Sequence, residues 1–155
     1  MLIRAFTLLG AAAVCIIASL LPSVTRAEAP LPEAPKKSEV IASGGKLMPG
    51  EQVKKMYLGN TVYHFWLVTY RGYKRGGFGP AFSRDERHRI LTYNGRKIEI
   101  LWWMEGDAAC NEMLDGANRG CALTYELNGH TFSCNRDEDI CRLMLRVVPG
   151  NVENL

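Results

Sequence analysis

The chain has 155 residues, 47% of them hydrophobic, with 19 Lys and Arg against 16 Asp and Glu for a formal charge of +3. That length suits one modest domain with short appendages. So small and evenly offset a charge gives no support to a nucleic-acid partner.

The first predicted element is an export signal. "MLIRAFTLLGAAAVCIIASLLPSVTRAEAP" places Arg4 ahead of an apolar run from Ala5 to Leu21, then Pro22 and small residues up to Ala27. This is the basic, apolar and small-residue order of a secretory signal over residues 1–27. A retained anchor is the rival reading, disfavoured by the break at Pro22. A lipoprotein site at Cys15 is disfavoured by Val14. Removal of Arg4 and Arg26 with the signal leaves 17 basic against 16 acidic residues. The expected location is periplasmic or secreted, with no membrane span after signal removal.

Residues 28–46, "EAPLPEAPKKSEVIASGGK", follow with three prolines and no aromatics. They read as a Pro-rich flexible linker. The globular domain is then residues 47–155, and its charge is unevenly placed. Ten Lys and Arg stand against four acids in 51–101, and four against nine in 102–155. Pairing of the two halves across the fold is the expected consequence.

Within the domain, "MPGEQVKKMYLGNT" predicts a short amphipathic helix over about residues 50–58, with Val53, Met56 and Tyr57 at helical spacing. "TVYHFWLVTY", 61–70, is dense in β-branched and aromatic residues and reads as a strand. "RILTYNGRKIEILWWM" holds a hairpin at Asn94–Gly95. Its register sets Leu91 opposite Ile98 and Arg89 opposite Ile100, with Trp102 on the same side. "CALTYELNGHTFSC" repeats the pattern around Asn128–Gly129, aligning Tyr125 with Phe132 and Leu123 with Cys134. Cys121, Leu123, Tyr125, Leu127, Phe132 and Cys134 share one face, expected to point inward. Ala122, Thr124, Glu126, Thr131, Ser133 and Asn135 form the other, expected to be wet. The next strand, "ICRLMLRVV", sets Cys141 opposite Cys134.

In an exported domain an even set of cysteines reads as staples. Cys134–Cys141 follows from the register, and Cys110–Cys121 from short separation. Cys121–Cys134 with Cys110–Cys141 is the open alternative. The cysteine spacings lack paired C-x-x-C knuckles, so no metal is expected. His64, His88 and His130 are isolated, and no nucleophile elbow, P-loop or dinucleotide fingerprint occurs, so no cofactor is expected. A carboxylate pair assembled by folding leaves no spacing signature.

The one stretch that invites a binding role is "YRGYKRGGFGPAF". Tyr70, Tyr73 and Phe78 alternate there with Arg71, Lys74 and Arg75, a combination suited to an anionic partner. Trp103, beside Trp102, is expected to face outward as a second contact residue.

"LMPGEQVKKMYLGNT" near the domain start and "VVPGNVENL" at the chain end resemble the bracketing motifs of short exported bacterial proteins of uncharacterised function. Those have a signal, a brief helix, cysteine-containing β-hairpins and a G-N-x-x-x-L close. The resemblance spans about residues 47–155. It implies a lipocalin-like or meander barrel with a periplasmic home, and it brings no catalytic residues.

The expected fold is therefore mainly β. It is a small antiparallel meander or lipocalin-like barrel of five to seven strands, with one short N-terminal helix and two disulfides. The expected function is a non-catalytic envelope protein that binds a protein partner, or an anionic glycan or lipid, through the basic-aromatic loop. The alternatives are an inhibitor of a hydrolase such as lysozyme, and an enzyme with a folded-together carboxylate site. An open cavity lined by aromatics and arginines favours ligand binding, two buried carboxylates within reach favour catalysis, and an acidic side chain built to enter a cleft favours inhibition.

Overall fold

The computed structural model describes residues 35–66, 78–93 and 95–155, with the backbone path alone at Phe78 and Tyr93. The predicted signal and most of the predicted linker lie outside these residues, as do Tyr70, Arg71, Tyr73, Lys74 and Arg75. None of the described helices is long and apolar enough to cross a membrane.

In chain order the elements are α1 (Lys37–Ala42), β1 (Lys46–Leu47), α2 (Gly50–Tyr57), β2 (Asn60–Phe65), β3 (Phe78–Ser83) and β4 (His88–Tyr93). There follow β5 (Arg96–Glu105), β6 (Ala108–Met113), β7 (Gly120–Leu127), β8 (His130–Asn135) and β9 (Cys141–Pro149). Each strand from β2 to β9 pairs antiparallel with its successor, and β9 returns to β2. Eight strands thus close an up-and-down barrel, more than the five to seven expected. Closure joins the first and last of these eight strands, so neither is left as a free edge. The short β1 adds to β7 through Lys46↔Glu126 and Leu47↔Tyr125.

The hairpin registers agree with the sequence pattern. Leu91 faces Ile98, Tyr125 faces Phe132, and Cys134 faces Cys141. Asn128 and Gly129 have φ of 50° and 78°, so both central residues of that turn occupy the left-handed region a two-residue hairpin loop requires. Disulfides join Cys110 to Cys121 across β6–β7 and Cys134 to Cys141 across β8–β9.

In β5 the faces are as expected, with Trp102 inward beside Ile98 and Ile100 and Trp103 outward, but in β7 to β9 they are reversed. Cys134, Cys141, Phe132, Leu143 and Tyr125 pack around Val40 of α1, on the outside of the barrel. Thr124 and Ser133, expected to be wet, are buried on the inner face. Alternation shows that two faces differ, but curvature and the covering helix decide which one is concave.

α1 is itself a correction, since it forms within the predicted linker and makes two helices rather than one. It is anchored by Val40 and by polar ties. Ser38 donates from its N–H and its hydroxyl to the Asp139 carboxylate at 2.8 and 2.7 Å, and Lys37 Nζ donates to the Asn135 carbonyl at 3.0 Å. Those two Ser38 bonds hold the Asp139 carboxyl below the usual carboxylate range.

α2 plugs one end of the barrel. Val53 and Tyr57 pack on Val62, Trp102, Ala109 and Met144. Gly50 N–H donates to Asp107 Oδ1 at 2.7 Å, and Lys54 pairs with Glu86 at 2.9 Å, tying the helix to the β5–β6 and β3–β4 turns. The seam between β2 and β9 is latched by the two bracketing motifs. Gly150 N–H donates to the Gly59 carbonyl at 2.9 Å, and Thr61 Oγ1 donates to the Gly150 carbonyl at 2.6 Å.

Lys54–Glu86, Arg84–Glu99 and Arg136–Glu105 each join residues of the same half of the sequence. Arg71, Lys74 and Arg75 of the basic half lie outside the described residues.

Candidate functional site

The barrel is filled at the α2 end and hollow at the other. A cavity of about 670 Å³ occupies its interior, within the range of small-molecule sites. All eight strands line it. β2 to β5 contribute His64, Ala81, Arg89 and Ile100, and β6 to β9 contribute Asn111, Ala122, Ser133 and Arg142. In an up-and-down barrel alternate connections lie at opposite ends. The β3–β4 and β5–β6 turns meet α2, so the mouth lies at the opposite end, where the β6–β7 and β8–β9 connections run. Trp66, Asn118 and Ile140 stand at that mouth.

The two walls differ in character. Ala81, Leu91, Ile98, Ile100 and Met113 make the β3–β6 side apolar, while Ser133, Asn135 and Arg142 make the β8–β9 side polar. Arg89 lies deep, only 3% exposed. Its guanidinium carbon sits 4.2 Å from the centre of the Tyr57 ring and 4.6 Å from that of Trp102, geometry that lends the cation the negative faces of both rings. Arg89 Nε donates to Ser83 Oγ at 2.8 Å, while its buried Nη2 has no hydrogen-bond partner. Burial lowers its pKa to about 10, which leaves it charged at neutral pH.

Arg142, nearer the mouth, donates from Nε to Ser133 Oγ at 3.1 Å and lies 5.3 Å from the Trp66 ring centre. It is close enough to lower the pKa of Arg89 further. Among the described residues no carboxylate pairs with either arginine. Glu112 is the one acidic residue bordering the cavity, and its position opposite Leu101 puts it on the outer face. His64, 5% exposed, stands beside the pair with Nε2 3.3 Å from Tyr57 Oη. Burial, then the charges of Arg142 and Arg89, push its pKa well below the usual histidine value. It is therefore neutral, and the two arginines carry the charge of the site.

Trp103 is on the outer face, packed on the cluster of Ala108, Cys110 and Cys121, with Arg119 5.1 Å from its ring centre. It does not reach the cavity. Phe78 opens β3 opposite Phe65. Glu105 lies close to Cys110 and Cys121, but the two sulfurs are bonded to each other and offer no thiolate. The lining brings no two carboxylates together.

Arg89, Arg142, His64 and Tyr57 were not singled out from the sequence as site residues. The signal for Arg89 was nonetheless present, since its register with Ile100 put an arginine on the same face as Ile98 and Trp102. The fold and cavity together define a class, a closed antiparallel barrel with an internal, ligand-sized and basic lumen. No known protein family, curated protein or solved structure matches this chain.

Proposed function

We propose that this chain is an exported, non-catalytic binding protein that holds a small, partly apolar molecule inside its barrel. The observation that carries the reading is the cavity of about 670 Å³ with one apolar and one polar wall. A lumen of that shape rewards a ligand whose two sides differ, because burying the apolar side gains about 25 cal/mol per Å² while the polar side keeps its hydrogen bonds. An internal site of this size suits a lipid or glycan fragment better than an intact polymer or a folded partner. The residues support binding over chemistry. Each of Ser83 and Ser133 accepts from an arginine, the four described cysteines are paired, and among the described residues no carboxylate pair faces the lumen. A location in the cell envelope rests on the N-terminal signal.

The test uses the neutral fluorophore 1-aminoanthracene with the purified protein. Saturable binding at one site per chain is expected, abolished by Ala122→Trp, which fills the lumen from β7. The reading falls if binding is absent, or if the Ala122→Trp variant binds as well as the parent.

A further inference from the structure

We infer that the ligand is an amphipathic organic anion, whose carboxylate is held between Arg89 and Arg142 while its apolar body lies along the β3–β6 wall. This rests on the lumen reading above and adds the chemical class of the ligand.

Two guanidinium groups face one cavity with no carboxylate among the described residues to neutralise them. A buried, unpaired charge costs several kcal/mol, and charges in protein interiors are normally compensated. Here the compensation within the described residues is limited to hydroxyls and ring faces. Arg89 is nevertheless held firmly, with Nε fixed by Ser83 and its plane against Tyr57 and Trp102, while Nη2 remains unpartnered. Nη2 is also closed off from a group the size of a water, so it adds to the cost of the charge, and compensation has to come from the rest of the guanidinium's cavity-facing side.

Geometry then narrows the acceptor. Both Nε atoms are already engaged with serine hydroxyls and Arg89 Nη2 is closed off, so Arg89 Nη1 and the terminal nitrogens of Arg142 are what a ligand meets. A carboxylate offers two oxygens, one toward each arginine, in charge-assisted bonds about twice as strong as neutral ones. His64, held neutral beside them, adds no third charge. The remaining lumen is largely apolar on the side of Leu91, Ile98 and Ile100, which excludes a ligand that is polar throughout. The requirements are one anionic head and one hydrocarbon body within about 670 Å³.

Calorimetric titration of the purified protein with sodium decanoate and with decanol, at neutral pH, separates head from body. Decanoate should bind one per chain, about tenfold or more tighter than decanol. Arg142→Gln, a change at a partly buried position, should weaken decanoate about tenfold and leave decanol within twofold. Arg89→Gln should do the same, with circular dichroism showing that the barrel is retained. If that variant does not fold, Arg142→Gln decides alone. Equal affinity for the two compounds, or an unchanged decanoate-to-decanol ratio in Arg142→Gln, overturns the anionic head while 1-aminoanthracene binding still upholds the lumen. Failure of both decyl compounds and of 1-aminoanthracene overturns the lumen itself.

Discussion

Arg89 carries a full charge where charge is costly, and its neighbours explain how it is tolerated. Ser83 takes one N–H, and the rings of Tyr57 and Trp102 take the guanidinium faces. The unpartnered Nη2 is a standing cost of about 1–3 kcal/mol. His64 answers the same environment in the opposite way, by staying neutral. The groups around it are Tyr57 from α2, the Gly79 backbone from β3, Arg89 from β4 and Arg142 from β9. Its pKa is depressed in the folded state, so the unfolded chain binds the extra proton first as pH falls. The contribution of His64 to stability is complete above its ordinary value of 6.5 and declines below it. Asp85 and Asp139 have pKa values lowered beneath the ordinary carboxylate value of 3.8, so their losses come at more acid pH. The melting temperature should therefore fall between pH 7.5 and 5.0, and His64→Gln should shrink that fall. An equal fall in parent and variant would contradict this.

Among the elements, α2 depends on one close approach. A Cβ at Gly50 would stand 2.3 Å from the Gly106 carbonyl oxygen and 3.2 Å from Asp107 Cα. These are backbone atoms of a tight turn, so the helix must move instead. The same shift would stretch the bond from Gly50 N–H to Asp107. Gly50→Ala should destabilise the protein by about 1–3 kcal/mol in urea unfolding, and weaken 1-aminoanthracene binding as Tyr57 is drawn away from the Arg89 guanidinium that lines the lumen. Unchanged stability would mean that α2 is not pinned at its first residue. α1 is held differently, by one buried valine and the ties of Lys37 and Ser38 to the β8–β9 region.

At the scale of the whole molecule, the two disulfides and the helix plug divide the barrel between them. α2 fills one end with side chains, and the hollow end lacks that packing. Cys134–Cys141 lies beside the β8–β9 connection at the mouth, and Cys110–Cys121 lies partway along the β6–β7 pair, close to Glu105. Cys134–Cys141 thus braces the end where an internal core is missing, and Cys110–Cys121 braces the neighbouring strand pair. The loops they close are short, at sequence separations of 7 and 11. Chain-entropy reasoning gives about 2.5–3 kcal/mol for each. Replacing either pair by serines should lower urea stability by about that amount, and replacing both should be nearly additive. A loss below about 0.5 kcal/mol for both pairs would remove the bracing role.

The sequence by itself determined the two Asn–Gly hairpins and the pairing of the last two strands, with their registers, and favoured the cysteine pairing that forms; β3 and β6 were not read as strands. The features it determined depend on contacts between neighbours in the chain, where alternation and turn residues act directly. Leu91 meets Ile98, and Cys134 meets Cys141, because an Asn–Gly turn or a short loop leaves few other registers. The tertiary structure decided the rest. The return of β9 to β2 made a closed barrel, and α1 covered the cysteine face. Together these turned the polar face inward and made it the wall of a cavity. Arg89 and Arg142 are 53 positions apart in the numbering, and no local pattern links them. They share a site because closing a sheet of eight strands brings its inner positions around one axis, a consequence of long-range pairing that composition and periodicity do not encode.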